Sequence, residues 1–260
     1  VNASSGEPVL GIDGCRGGWF WWQHAADSDE SGIAAHLRDL LPRILQCRLA
    51  LIDIPIGLME GGPRERPCDL QARRLLGRPR ASSVFRPPCR AALASADYRE
   101  ACEINRRQTG KGISKQTWHI VPKIREADAL MRTEPDARRL LHEAHPELVM
   151  WALSGGIAMR YNKKLRSGYA ERCDLLAKVS RRSLERLHSD LARYSRQRLK
   201  PDDAVDALAL SLGAARIAGH AEDGRRDPSA LDPMGLPMEM LFPDPDQPSG
   251  ILPNHTVATP

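Results

Sequence analysis

Two short apolar runs in this chain each carry one aspartate where a core residue is expected. They are Val9-Leu-Gly-Ile-Asp13-Gly-Cys-Arg-Gly-Gly18 and Leu49-Ala-Leu-Ile-Asp53-Ile-Pro-Ile-Gly-Leu58. A continuous apolar run of this length suits a strand covered on both faces. Each run breaks close to its aspartate, at Gly14 or at Pro55. An ionised carboxylate in such surroundings is costly unless a cation pairs with it. Two strand ends of this kind, 40 residues apart, predict one shared acidic site.

Composition sets broad bounds. The 260 residues, 42% of them hydrophobic, can bury a substantial core as one large domain or two small ones. A net charge of +5 fits a phosphate-rich partner. No stretch is long and apolar enough to span a bilayer. The first residues, Val1-Asn-Ala-Ser-Ser-Gly-Glu-Pro8, have neither a basic flank nor an apolar stretch, so no signal peptide is expected. The start on Val1 instead of Met suggests trimming or engineering. Six cysteines lie scattered without CxxC or metal-like spacing. That pattern predicts free thiols in a reducing cytoplasm and no zinc site.

The chain opens as strand, strand, strand, helix, strand. Val9–Asp13 and Trp19–His24 read as the first two strands around a Gly17-Gly18 turn, Ile33–Leu37 as a short third. Leu37–Cys47 has helical spacing, although Pro42 fits best in a first turn, and the strand Leu49–Ile54 follows. This order predicts an α/β fold with mixed strand directions. From about 63 to 135 the chain reads as a basic insertion, mostly loop, with helical pieces near Asp69–Leu76, Tyr98–Gln108 and Pro122–Thr133. Leu140–Ala144 is a further predicted strand, and Pro146 suits the first turn of a helix over Glu147–Leu153. Gly168 is expected to end a loop, Tyr169–Leu199 to form one or two basic helices, and Asp202–Gly219 the last long helix. A short strand is predicted at Pro237–Phe242, with flexible tails over 1–8 and 243–260.

The last helix supplies further acids. Asp202 and Asp203 lie within one turn of Asp206, which has Ala209 and Leu210 as neighbours one turn on and so projects from the apolar side. Asp202 and Asp203 also suit a helix start as capping acids. Glu147 is another candidate, with Glu143 a weaker one and an ordinary first-turn glutamate the plain alternative. Acids on strand ends and on one helix can bind a hard divalent cation, Mg²⁺ or Mn²⁺. Two such ions ~4 Å apart activate water and stabilise a leaving oxygen on phosphorus.

In order and context, Asp13, Asp53 and the Asp203/Asp206 pair resemble the acids of the RNase H-like superfamily, whose fold is a mixed five-stranded sheet flanked by helices. The string Asp203-Ala-Val-Asp206-Ala-Leu-Ala-Leu210 is similar to the acidic helix of Holliday-junction resolvases. More closely, the chain resembles domain-of-unknown-function family 429, described as predicted RNase H-like nucleases. The resemblance rests on Gly11-Ile-Asp-Gly-Cys-Arg-Gly-Gly-Trp19, Ile52-Asp-Ile-Pro-Ile-Gly-Leu58, Cys68-Asp-Leu-Gln-Ala-Arg73 and Ser83-Val-Phe85. It continues through Lys115-Gln-Thr-Trp-His-Ile-Val-Pro-Lys-Ile-Arg-Glu126, His145-Pro-Glu147, Lys163-Lys164 and Asp202-Asp-Ala-Val-Asp-Ala-Leu208. It implies a single RNase H-like domain over 9–242 carrying the insertion.

The resulting expectation is metal-dependent phosphodiester hydrolysis of DNA or RNA. Asp13, Asp53 and Asp206 would be the metal ligands, and either Glu147 or Asp203 would complete the set. Gln116, Lys123 and Lys164 are candidate phosphate contacts. Arg86 and other insertion arginines either line a nucleic-acid path or form a solvated loop surface. His119 and His145 read as structural, Trp118 and Trp151 as core anchors. Two alternatives stand: an ATP-binding phosphotransferase of the actin and sugar-kinase group, suggested by Gly11-Ile-Asp-Gly14, and a non-catalytic nucleic-acid-binding protein.

Overall fold

In the computed structural model, which describes residues 7–219, 224–225 and 230–246, the two aspartate-bearing runs are neighbouring strands of one sheet. β1 (Val9–Cys15), β2 (Gly18–His24) and β3 (Asp29–Ala34) form an antiparallel meander. A 3-10 turn at Leu37–Leu40 and helix α1 (Leu41–Gln46) lead to β4 (Leu49–Ile52). β4 pairs parallel to β1, and β5 (Leu141–Glu143) pairs parallel to β4, so the strand order is β3-β2-β1-β4-β5. The mixed five-stranded sheet of the expectation is present.

The stretch between β4 and β5 carries α2 (Pro67–Arg80), α3 (Tyr98–Thr109), α4 (Lys115–Thr133) and α5 (Ala137–Leu140). After β5 come α6 (Pro146–Leu153), α7 (Arg166–Val179), α8 (Arg181–Leu191) and α9 (Pro201–Gly219). Four two-residue strands close the described chain. β6 (Gly224–Arg225) pairs with β9 (Phe242–Pro243), and β7 (Ala230–Leu231) with β8 (Pro237–Met238).

Strand alternation sorts the sheet residues into two layers of core. Leu10, Ile12, Trp19, Trp21, Ala50 and Ile52 pack with Ile44 of α1 and Val121, Ile124 and Ala127 of α4. Val9, Phe20, Trp22, Leu49 and Leu51 pack on the opposite face with α6, α7, α8 and α9. The period of two carries Asp13 to the second face, in line with Val9 and Gly11. Helix α9 crosses that face against β1, β2 and β4, and it is buried from Ala204 to Ala214. Gly11 allows the approach, because a Cβ there would sit 2.1 Å from Ala207 O and 2.4 Å from Ser211 N. At the α6 contact Gly213 serves the same purpose, its virtual Cβ lying 2.5 Å from Val149 Cγ1.

Several local expectations need correction. The third strand lies at Asp29–Ala34 instead of Ile33–Leu37, its register set by pairing with β2. The Leu37–Cys47 helix is split, since Pro42 lacks the N–H that would continue the preceding turn and instead opens α1. The insertion is largely helical, and α4 starts at Lys115, capped where Ser114 Oγ accepts the Thr117 N–H at 3.0 Å. Pro122 thus lies inside that helix, on its exposed side. Gly168 sits in the first turn of α7, where its bare Cα accepts the close approach of Asn162 O. The Pro237–Phe242 strand is two short strands with different partners. Of the predicted tails, residues 1–6 and 247–260 lie outside the described residues. Pro243 is paired in β9.

Five of the six cysteines are buried and none of the six is in a disulfide. No helix among the described residues is long and apolar enough to cross a membrane.

Candidate functional site

The parallel register Ile12↔Ile52 places Asp13 and Asp53 side by side at the carboxyl ends of the central strands. The Asp53 N–H donates to Ile12 O at 3.0 Å, continuing the ladder past the end of β4, and Ala144 N–H donates to Ile52 O at 2.9 Å. Asp13 accepts the Gly14 N–H at 2.7 Å. β5 then turns into α6, whose first-turn Glu147 is buried and donates its N–H to His145 Nδ1 at 3.2 Å. From above the sheet, α9 adds Asp203 and the fully buried Asp206.

These acids feel one another. Burial pushes the Asp13 carboxyl well above its usual range, and the charges of Asp53 and Asp206 push it further. Burial also raises Asp53, against the pull of His145 and Lys163. Asp203 is raised by burial and by Asp202. Asp206 is pushed up to about 6, burial outweighing its bond to Lys163. Proton retention is how a crowded buried acidic cluster lowers its charge when no stronger cation is present.

Two basic side chains meet this cluster. Lys163 Nζ donates to Asp206 Oδ2, and the charges of Asp206, then Asp13 and Asp53, hold the lysine protonated against the cost of burial. Arg172 Nη2 donates to Glu147 Oε1, while its Nη1 reaches Gly168 O at 2.8 Å and Tyr161 O at 3.1 Å. The other Glu147 oxygen, Oε2, is buried without a hydrogen-bond partner. A buried anionic oxygen of this kind is expensive unless a ligand completes it.

Glu143 belongs elsewhere. Its strand position opposite Ile52 turns it to the other face, where Arg66 bridges it and Asp69 through four contacts of 2.6–3.0 Å. Glu143 also accepts the Ile56 N–H at 2.8 Å. Cys68, Asp69 and Glu143 have ligand atoms within 4.8 Å of one another and could by spacing hold a metal ion. The buried Arg66 guanidinium already pairs with both carboxylates, so a metal would have to displace an arginine that is 2% exposed. A cavity of about 20 Å³, lined by Asp53, Arg66, Phe85, Glu143 and His145 among others, separates this network from the sheet-edge acids.

The basic candidates divide. Lys123 lies beside the acids: its stem packs against Gly14, its Nζ donates to Gly18 O at 2.5 Å and stands 4.4 Å from the Trp19 ring centre. Burial lowers its pKa, with Asp13 among the charges opposing that shift. Gln116 is exposed on the first turn of α4, and Lys164 is exposed with its N–H on Asn162 Oδ1. Arg86 is half-buried and donates to Gly62 O and Arg64 O. It lines a groove of about 300 Å³ with Arg73, Lys111 and Thr117. Sequence reasoning selects Lys164 and misses its neighbour Lys163, because a Lys-Lys pair carries no sign of which member turns inward. It also misses Arg66 and Arg172, since nothing local separates a buried arginine from the many exposed ones.

Fold and site together define the class: an α/β protein whose central strands end on buried acids beneath one long helix. The chain belongs to the family described as Protein of unknown function (DUF429), whose model matches residues 11–229 and so spans every acid discussed above. No curated protein and no solved structure matches it.

Proposed function

We propose that this protein is a divalent-metal-dependent phosphodiesterase of the RNase H-like kind, a nuclease acting on DNA or RNA. The observation that carries the reading is the meeting of Asp13, Asp53, Glu147 and Asp206 at one sheet edge, with the Asp13, Asp53 and Asp206 carboxyls raised by burial and crowding. The strand order β3-β2-β1-β4-β5 supports the RNase H-like part of it.

The donor set fits Mg²⁺ or Mn²⁺. It is all oxygen, it holds more negative charge than Lys163 and Arg172 offset, and Glu147 Oε2 is left without a partner. Asp13, Asp53 and Asp206 would hold the ion, and Glu147 or Asp203 would complete the set. A bound ion would supply Lewis acidity toward phosphorus and a water of lowered pKa. If Asp203 completes the set, Glu147 Oε2 would be free to accept a proton from an attacking water. Lys123 offers a cation for a phosphate on the Gly14 side, and Gln116, Lys164 and Arg86 offer contacts along a nucleic-acid path. The partner is nucleic acid.

Incubation with labelled single strands, duplexes and junctions of DNA and RNA, with and without Mg²⁺ or Mn²⁺, tests the proposal. Asp13→Asn and Asp206→Asn proteins are expected to melt cooperatively and to lose metal-dependent cleavage. If either variant cuts as well as the parent, the assignment fails.

A further inference from the structure

Lys163 Nζ donates to Asp206 Oδ2, and its charge also acts on Asp13 and Asp53. Arg172 is committed to Glu147, and Lys123 to Gly18 O. Resting on the cation-site reading above, we infer that the Lys163 ammonium fills one cation position of the acidic cluster. The native chain then binds one divalent ion fewer than its carboxylates alone would hold.

The lysine is presented by a braced turn. The connection from α6 to α7 begins at Gly155 and Gly156, both at positive φ (73° and 84°), where a side chain would be strained. Glu171 of α7 accepts the N–H groups of Arg160 at 2.9 Å and Tyr161 at 3.0 Å. Leu165 N–H returns to Asn162 O at 2.9 Å, and that carbonyl lies against the bare Cα of Gly168. Arg172 binds both this turn, at Tyr161 O, and the cluster, at Glu147. The backbone on either side of Lys163 is therefore tied to the helix that also holds Glu147. Its side chain is 34% exposed and reaches an Asp206 carboxylate that is 2% exposed.

An ammonium and a divalent ion cannot share Asp206 Oδ2. A magnesium ion binds oxygen at ~2.1 Å and tolerates no second cation in contact with the same lone pairs. Unlike a metal, the ammonium arrives with the fold and cannot be chelated away. It reduces the charge the cluster presents to solution and reserves the remaining oxygens, those of Asp13, Asp53 and Glu147 together with Asp206 Oδ1, for a metal.

The test is the number of Mn²⁺ ions bound per chain, read by isothermal titration and by the electron paramagnetic resonance of free Mn²⁺. Lys163→Gln keeps a donor for Asp206 without the charge and is expected to bind one more Mn²⁺ per chain than the parent. Lys163→Arg, which keeps the charge, is expected to match the parent. Equal, non-zero binding by parent and Lys163→Gln overturns this inference and leaves the cation-site reading standing. Binding by neither protein, or binding undiminished by Asp13→Asn, overturns both. The parent protein supplies a second check that depends on no variant: in Mn²⁺-soaked crystals Lys163 Nζ stays on Asp206. A Mn²⁺ in its place, with the lysine swung out, overturns the inference.

Discussion

Substituting Gly11 by alanine tests whether the contact between β1 and α9 sets the site. The added Cβ would lie 2.1 Å from Ala207 O and 2.4 Å from Ser211 N, against an ordinary contact of 3.4 Å or more, and both are backbone atoms. Relief requires α9 to retreat by about 1 Å along a line it shares with close-packed side chains on both sides. Overpacking of a buried contact costs roughly 1–3 kcal/mol, and the upper end applies because neither the central strand nor the buried helix can bend away cheaply. With a urea dependence of ~3 kcal/mol per M, a loss of ~3 kcal/mol lowers the unfolding midpoint by ~1 M. Gly14→Ala is the control. Its Cβ would meet Lys123 Cδ at 2.7 Å, part of a flexible stem that can swing aside, so its cost should stay under about 1 kcal/mol. Urea unfolding followed by fluorescence reads both variants, and Mn²⁺ titration of folded Gly11→Ala should show weakened affinity because Asp206 rides on α9. A Gly11→Ala midpoint equal to the parent's, or a Gly14→Ala loss as large, would refute the reasoning.

Other outcomes follow from the same geometry. The Asp206 carboxyl, lifted from 3.8 to about 6, binds its proton more tightly in the folded chain, so its stabilising contribution is complete below the unfolded value and lost as pH rises through about 6. Asp13, Asp53 and Asp203 shift in the same direction. Against the cost of burial, hydrogen bonds from His24 and from Leu236 N–H hold Asp29 and Asp232 low, which tilts overall stability the other way. The informative quantity is therefore the stability of Asp206→Asn relative to the parent. It should rise by on the order of 3 kcal/mol between pH ~4 and ~7 in metal-free buffer, and a flat or falling difference contradicts the raised carboxyl. Asp13→Asn, relieved of repulsion from Asp53 and Asp206, should melt above the parent in chelator and lose the parent's gain from Mn²⁺. Arg66→Met strands Asp69 and Glu143 as buried unpaired anions and should cost about 3–5 kcal/mol by chemical denaturation. A loss of only a few tenths would show that the network is dispensable.

The α/β class and the position of the acidic cluster are legible in the amino-acid sequence alone. Apolar runs of this length and composition suit strands covered on both faces, and a carboxylate at the end of each must share its charge with something. Asp206 is legible for a related reason: it interrupts the apolar side of a helix, where no cap explains it. The strand order and register are not determined locally. They depend on which strand ends meet, and only the pairing of Ile12 with Ile52 puts Asp13 beside Asp53. The same holds for Glu143 and Glu147, four residues apart on either side of one strand-to-helix turn. Their roles separate because the pleat sends Glu143 to Arg66, whereas the turn into α6 brings Glu147 to Arg172. Lys163 and Lys164 are identical in sequence terms, and only the brace from α7 decides which one reaches Asp206. Local pattern therefore determined which residues could not be ordinary core. The tertiary structure alone chose their partners, because a buried charge is stabilised by whatever distant group the packing brings within a few ångströms.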